Sequence, residues 1–285
     1  MVEDSPVLTA DMIAVLRCSV CGAPLRPGNG LAAQVTALAC DNGHTFDVAR
    51  QGYVHLGAGR RLPGGDTAAM VAARERIMRA GLFAPLAAKL AQNVPTSARL
   101  VVDLGGGAGH YLDRALDCCP RAQGMVFDVS KPALKRAPPR LGAVLADTWG
   151  GLPLADHSVD VILNVFAPRN GAEMRRVLKD RLIVATPLSS HLIELRQRFG
   201  LLQVDSSKPE RLRQTLGGFE PLAADRLEWT MELTGEQVTD LIRMGPNAFH
   251  HDTVGRPMTV TAAIEVTTWT GRPLPSRRAD RDSAR

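Results

Sequence analysis

From Arg99 onward, short apolar runs alternate with stretches whose apolar residues recur at helical spacing. The runs RLVVDL (99–104), GMVFD (124–128), GAVLA (142–146), VDVILN (159–164) and RLIVAT (181–186) read as strands. Helices are expected between and after them, over 109–118, where Pro120 enforces a stop, and over 132–137, 171–179 and 188–198. Strands and helices in this alternation predict an α/β domain with a mainly parallel sheet. Upstream, TAAMVAARERIMRA (67–80) predicts a helix with Met70, Ile77 and Met78 near one face. Gly81 ends it, and Pro85 suits the first turn of the next helix. Ser207 with Glu210, and Thr234 with Gln237, have the spacing of capping boxes at two later helix starts. The last strands, 226–232 and 258–269, are expected as an antiparallel pair at the sheet edge. Residues 271–285 carry five arginines without periodicity and read as a disordered tail. No internal repeat is visible.

The pattern divides the chain into zones: 1–57, rich in metal-ligand and turn residues; 58–98, a helical connector opened by GAGRRLPGGD; 99–270, the α/β domain; and the tail. An apolar share of 45% and a charged share of 22% are ordinary for a globular protein and do not alter this reading. The net charge of +5 leans toward a polyanionic partner. The N-terminus lacks a basic segment followed by a long apolar one, and no run is long enough to span a membrane, so a cytoplasmic location is expected. In that setting the five cysteines point to metal ligands or buried thiols rather than disulfides.

Cys18-x2-Cys21 and Cys40-x3-His44 are two chelating pairs, each able to put two ligands on one ion from a tight turn. Gly22, Pro24 and Gly43 supply the turn chemistry. The resulting Cys3His set suits a structural zinc ion, because four protein ligands leave no open position for water. Cys118 and Cys119 lack a partner pair and are expected to be core thiols.

The stretch VVDLGGGAGHYL (101–112) reads as a buried strand, an acid, a glycine run and a helix start. Gly105, Gly107 and Gly109 allow a sharp turn and close ligand approach, and the helix N-terminus offers free N–H groups. A dinucleotide fingerprint needs a glycine where His110 stands, and Asp103 would repel a pyrophosphate. No Gly-Lys-Ser/Thr follows, which excludes a phosphate loop of the Walker type. Asp103 could instead attract the ammonium of a methionine moiety, so the loop is read as a site for S-adenosylmethionine. Asp128, at the end of the second strand, is placed to accept both hydroxyls of a ribose, which supports a nucleoside without naming it. Asp147 is either a partner for the adenine amino group or a solvated loop acid. After the fourth strand, the segment from Asn164 to Arg169 either lines the reaction site or is a proline-rich structural turn. In the first case Asn164 orients a base edge, Phe166 stacks on a base, and Arg169 holds phosphate or stabilises developing negative charge.

TFDVARQGYVHL, GGDTAAMVAAR, AGLFAPL, VVDLGGGAGH, FDVSKPALKRA, LNVFAPRN, ATPLSSHLIEL and MGPNAFH follow the cysteine pairs in this order. Across residues 17–251 the chain resembles the bacterial 23S rRNA (guanine-N1)-methyltransferases, nearest the branch that protects producers of tylosin-type macrolides. The resemblance implies a Rossmann-like class I methyltransferase domain behind a small zinc domain that helps recognise an rRNA hairpin. It further implies a homodimer whose combined cleft embraces RNA. Family cofactor contacts carry over to Phe83, to the loop from Gly105 to His110, and to His191. Departures include Phe83 where some relatives have Tyr, Phe249 where Trp is common, a longer middle of the finger, and a turn shortened to Leu178, Lys179, Asp180 and Arg181 before the fifth strand. His250 and His251 have no metal-ligand spacing and read as surface residues. Arg50, Arg60, Arg61, Arg74 and Arg76 are expected either to contact RNA phosphates or to form a solvated face. Two rival readings remain at this level: a small-molecule methyltransferase of natural-product assembly, and a non-catalytic zinc protein that binds RNA.

Overall fold

The structure is a computed structural model that describes residues 8–28, 35–57, 62–202, 208–245 and 254–271. Ser207, Arg60, Arg61, Phe249, His250, His251 and the tail from residue 272 lie outside the described residues.

The chain opens with α1 (Ala10–Val15), capped by the Thr9 hydroxyl on the Met12 N–H, and a small antiparallel sheet of β1 (Arg26–Pro27), β2 (Ala37–Ala39) and β3 (Thr45–Asp47). β4 (Tyr53–His55) follows and leaves that sheet, pairing in parallel with a strand of the large one. Thr67 caps α2 (Ala68–Arg79), which buries Met70 and Ile77 and packs Met78 at the core margin. Gly81 at φ 74° turns the chain into α3 (Ala84–Asn93), with Pro85 in its first turn.

The α/β repeat then runs β5 (Leu100–Leu104), α4 (His110–Leu116), β6 (Gln123–Asp128), α5 (Lys131–Leu134), β7 (Leu141–Leu145), β8 (Val159–Val165), α6 (Gly171–Val177) and β9 (Leu178–Pro187). After α7 (Ile193–Phe199) and α8 (Lys208–Thr215) come β10 (Glu220–Leu233), α9 (Gly235–Arg243) and β11 (Met258–Thr270). The expected box at α9 is present in both directions, Gln237 N–H to the Thr234 hydroxyl and Thr234 N–H to Gln237 Oε1, and such a cap is worth about 1 kcal/mol. The large sheet has the order β10-β11-β9-β8-β5-β6-β7-β4. From β9 to β4 every pairing is parallel, while β11 lies antiparallel between β9 and β10. This is the expected α/β sheet with its antiparallel edge pair.

Both faces of the sheet are covered, and period-two alternation sorts the side chains between them. Val101, Val126, Leu163 and Ile183 enter one core with α3, α4 and α9; Val102, Phe127, Ile162 and Val184 enter the other. The second core also takes Leu16, Cys18, Leu38, Cys40 and Phe46, so the zinc-ligand segment packs on the sheet it precedes. Backbone bonds reinforce this contact: Arg17 N–H to the Pro153 carbonyl at 2.9 Å, and Ala155 N–H to the Val15 carbonyl at 2.8 Å.

Three local expectations are corrected. The shortened stretch before the fifth strand is not a turn, since β9 begins at Leu178 directly after α6, and the register against β8 shifts between Val159 and Val161. The helix expected from residue 188 starts at Ile193, after turns that put Leu192 at φ 51°. Cys119 is a core thiol, but Cys118 is exposed. Among the described residues no helix is long and apolar enough to cross a membrane.

Candidate metal centre and active site

The two turns of the N-terminal segment bring Cys18, Cys21, Cys40 and His44 together, with all four ligand atoms within 4.8 Å of one another. Gly22 and Gly43, at φ 75° and 81°, close the two knuckles with N–H bonds back to the carbonyls of Cys18 and Cys40. The Cys21–Cys40 sulfur separation is 3.8 Å, and His44 Nδ1 stands 3.6 Å from the Cys18 sulfur and 3.4 Å from that of Cys40. A tetrahedron with Zn–S near 2.3 Å and Zn–N near 2.0 Å has edges of about 3.8 Å and about 3.5 Å, so the donor set fits zinc. The Ala23 backbone N–H and the Asn42 amide, the latter at 3.2 Å, lower the Cys21 thiol to about 6, which favours the thiolate a metal needs.

At the carboxyl ends of the central strands the glycine loop joins β5 to α4. Gly105, Gly107 and Gly109 all take positive φ, at 74°, 60° and 79°, a conformation in which side chains are strained. The chain turns so tightly that a Cβ on Gly105 would stand 2.5 Å from that of Ala167. The loop therefore packs directly on the segment following β8. Asp128, at the end of β6, holds the loop by accepting the Gly107 N–H at 2.8 Å and the Ser130 N–H at 2.6 Å. Burial raises the Asp128 carboxyl, against the lowering effect of these two donors.

Asp103 is fully buried beneath the loop, and burial, with the Asp128 charge as the lesser cause, pushes its carboxyl up to about 8. Neither of its oxygens has a hydrogen-bond partner. Similarly unpartnered are His110 Nε2, Tyr111 Oη, Asn164 Oδ1 and Arg169 Nε. Buried polar atoms in native proteins are normally paired, so a cluster left unpaired marks where a polar ligand belongs. Of the eight such atoms among the described residues, these five residues supply six. A glycine cradle with this donor and acceptor set fits S-adenosylmethionine.

The Asn164 amide donates to the Leu104 carbonyl at 3.0 Å and the Pro168 carbonyl at 3.1 Å, which ties the end of β8 to the glycine loop. Phe166 stands beside it at φ 54°, 43% exposed. An aromatic residue in left-handed backbone is strained, and such strain gathers at functional sites. Burial lowers the Arg169 guanidinium, and no carboxylate among the described residues offsets it. His191 completes an aromatic wall, its ring centroid 6.0 Å from Phe166 and 6.3 Å from the buried Phe83, whose other neighbour is Trp229 at 6.0 Å. The His191 Nδ1 accepts the Ala263 N–H at 3.1 Å, which places the ring proton on Nε2 in the neutral form. Asp147 follows β7 and accepts the Trp149 N–H at 2.9 Å, and it borders a cavity of 720 Å³ shared with Arg17, Ser19 and Leu62.

Of the arginines singled out by the sequence, Arg74 pairs with Asp66 and donates to the Met244 carbonyl at 2.7 Å, and Arg76 pairs with Asp240. The sequence marked Arg74 for RNA phosphate or solvent, not for the glycine loop, yet a Cβ on Gly107 would lie 3.6 Å from its Nη1. Nothing in the chain distinguishes it from the other arginines of α2, because the contact depends on a loop more than thirty positions away.

This sheet order, glycine cradle and tetrahedral donor set define an S-adenosylmethionine-dependent methyltransferase with a structural zinc ribbon. The zinc-ribbon family described as "RlmA, N-terminal" matches residues 16–57. A Micromonospora griseorubida protein assigned to the 23S rRNA (guanine-N(1)-)-methyltransferases is 46% identical over 288 residues, covering 90% of this chain and 97% of that one. The 23S rRNA (guanine(748)-N(1))-methyltransferase of Streptomyces fradiae is 42% identical, covering 85% and 88%. A Bacillus subtilis protein assigned to the same activity, YxjB, is 30% identical, covering 83% and 87%. The chain belongs to the 23S rRNA (guanine-N1)-methyltransferase family.

Proposed function

We propose that the protein methylates N1 of a guanine in a 23S rRNA hairpin, in the cytoplasm and as a homodimer, and that the modification confers macrolide resistance. The observation that carries the reading is the set of unpartnered polar atoms on Asp103 and His110, which flank the glycine loop, and on Asn164, whose amide bonds the Leu104 carbonyl beside it, in a chain related over most of its length to enzymes of this name. The relative from Streptomyces fradiae is named for guanine 748.

Bound in the cradle, S-adenosylmethionine supplies an electrophilic methyl group on a sulfonium. In this reading Asp103 accepts from the cofactor's ammonium, Asp128 from its ribose and Asp147 from its adenine, while Arg74 beside Gly107 faces its carboxylate. Phe83 and His191 wall the pocket. Phe166 stacks on the guanine and Asn164 Oδ1 accepts from its edge. Neutral guanine carries a proton on N1, which must leave before or as N1 takes the methyl group that the bound cofactor would supply. Loss of that proton puts negative charge on N1 and O6, where the Arg169 guanidinium would stabilise it until the methyl group is taken up. Positioning contributes much of the rate, because the methyl donor is already reactive.

The test is transfer of labelled methyl from S-adenosylmethionine to unmodified large-subunit rRNA, with the product mapped by primer-extension arrest. One strong stop at a hairpin guanine supports reaction type and substrate together. Measurable cofactor binding without transfer to RNA or to subunits turns the reading toward a small-molecule substrate. Sedimentation of the protein with and without RNA tests the dimer.

A further inference from the structure

Trp149 lies between β7 and β8 on a backbone held at both ends. Its N–H donates to Asp147 Oδ1 at 2.9 Å, and its carbonyl accepts Asn170 Nδ2 at 2.8 Å. Further along, the Leu152 N–H donates to Glu173 Oε2 and the Leu152 carbonyl accepts Arg176 Nη2, both at 2.8 Å. The loop is thus a fixed support, yet its indole is 61% exposed. The other two tryptophans are engaged internally: Trp229 Nε1 donates to the Leu82 carbonyl at 3.0 Å, and Trp269 is 9% exposed.

Aromatic residues are only 4% of the chain, so exposed rings are scarce. Among the large hydrophobic side chains exposed in the described residues, just two are aromatic, Trp149 and Phe166. They stand on adjoining loops. Asn170, which holds the Trp149 carbonyl, follows Arg169 in the reaction segment and also caps α6 through the Glu173 N–H. One side chain therefore locks the Trp149 loop to the segment that carries Phe166.

We infer that Trp149 is a stacking platform for an unpaired base of the RNA substrate that neighbours the target guanine. The inference rests on the RNA reading above. Single-stranded and looped RNA is recognised largely by bases splayed onto aromatic faces, and a large ring on a fixed backbone loses little freedom when it stacks. Two such faces on locked loops hold two bases in a set relation, which positions the target base as well as adding affinity.

The full-length protein tests this with the rRNA hairpin identified by methyl mapping. Trp149→Ala is expected to raise KM for the hairpin between about fivefold and about a hundredfold, the range for loss of one base stack. Cofactor affinity should stay unchanged, and Trp149→Phe should recover most of the loss. In parallel, acrylamide quenching of tryptophan emission reads the indole directly. Hairpin alone should shield a component present in the wild type and absent from Trp149→Phe. An unchanged KM in Trp149→Ala overturns the inference. So does shielding by S-adenosylhomocysteine without RNA, which would assign the indole to the cofactor's adenine. Shielding that grows with protein concentration in the absence of RNA overturns it too, in favour of a second copy. A wild type that methylates no RNA removes the underlying reading, whereas an active wild type with an indifferent Trp149→Ala removes only this step.

Discussion

Arg76 and Asp240 face each other across α2 and α9 as a two-point ion pair, Nε to Oδ2 at 2.7 Å and Nη2 to Oδ1 at 2.6 Å. The Asp240 side chain is 10% exposed while that of Arg76 is half in water, so the aspartate depends on the arginine more than the reverse. Arg76→Ala leaves a buried carboxylate without its partner and is expected to cost about 2 kcal/mol, less than for a fully buried pair because of solvent screening. Urea melts should show this loss, with partial recovery in Arg76→Ala/Asp240→Ala. The salt dependence of RNA binding should not change. A normal melt with a flattened salt dependence would instead make Arg76 a phosphate contact.

Asp103 gives cofactor uptake a pH dependence of definite sign. Its carboxyl is pushed up to about 8 in the folded protein against an ordinary 3.8, with Asp128 and Tyr111 as the facing groups. An acid raised in this way favours the folded state fully below its unfolded value and loses that contribution as pH climbs through the folded one. Asp103→Asn should therefore gain stability relative to wild type between about pH 4 and about pH 8. In the proposed site the ligand needs the ionised form, so binding near neutrality expels a proton. Affinity for S-adenosylhomocysteine should rise by up to about tenfold per pH unit from about 6 to about 8, and this slope should vanish in Asp103→Asn. Calorimetry in two buffers of unlike ionisation enthalpy reads the released proton. A pH-independent wild-type affinity sinks the assignment.

Arg169 and Asn164 should separate in kinetics. Arg169→Ala is expected to lower kcat by about a hundredfold with saturating RNA and cofactor, the usual loss for one preorganised donor at developing charge. Asn164→Ala should lower kcat and also stability, since its amide bridges the Leu104 and Pro168 carbonyls. Single-turnover transfer and thermal melts on the two variants distinguish the roles. Near-normal turnover in both would move the chemistry away from the segment after β8.

The features legible in the chain were those set by local spacing. Period-two strands, the Thr234 box, the tight Cys18 and Cys40 knuckles and the glycine cradle each depend on residues a few positions apart. Relations across the fold were not legible. Arg74 and Arg76 read as surface charge because their partners, Met244 and Asp240, arrive from α9 only when the helices pack. β4 is three residues long, and nothing in TFDVARQGYVHL marks it as an edge strand of the large sheet, where it is held by pairing to β7. Trp149 lies outside every element the spacing predicts, and only the fold brings Asn170 to its carbonyl.

The zinc ribbon is attached to the methyltransferase sheet at several points. Leu16, just after α1, makes an isolated bridge to Leu154, Arg17 and Val15 bond to the Pro153–Ala155 segment, and β4 runs beside β7, whose end leads to Asp147. Cys40 lies in the same core as Val102 and Val184 of the sheet. Losing the ion therefore loosens more than a terminal appendage. Cys40→Ala should abolish stoichiometric zinc, measured by mass spectrometry of the purified protein, and lower Tm by about 5 °C or more. It should also weaken S-adenosylhomocysteine binding, because the support for the Asp147 turn is shared with the ribbon. Zinc loss with unchanged Tm and cofactor affinity would show that the methyltransferase sheet holds its shape without the ribbon, leaving the ion a role confined to RNA contact.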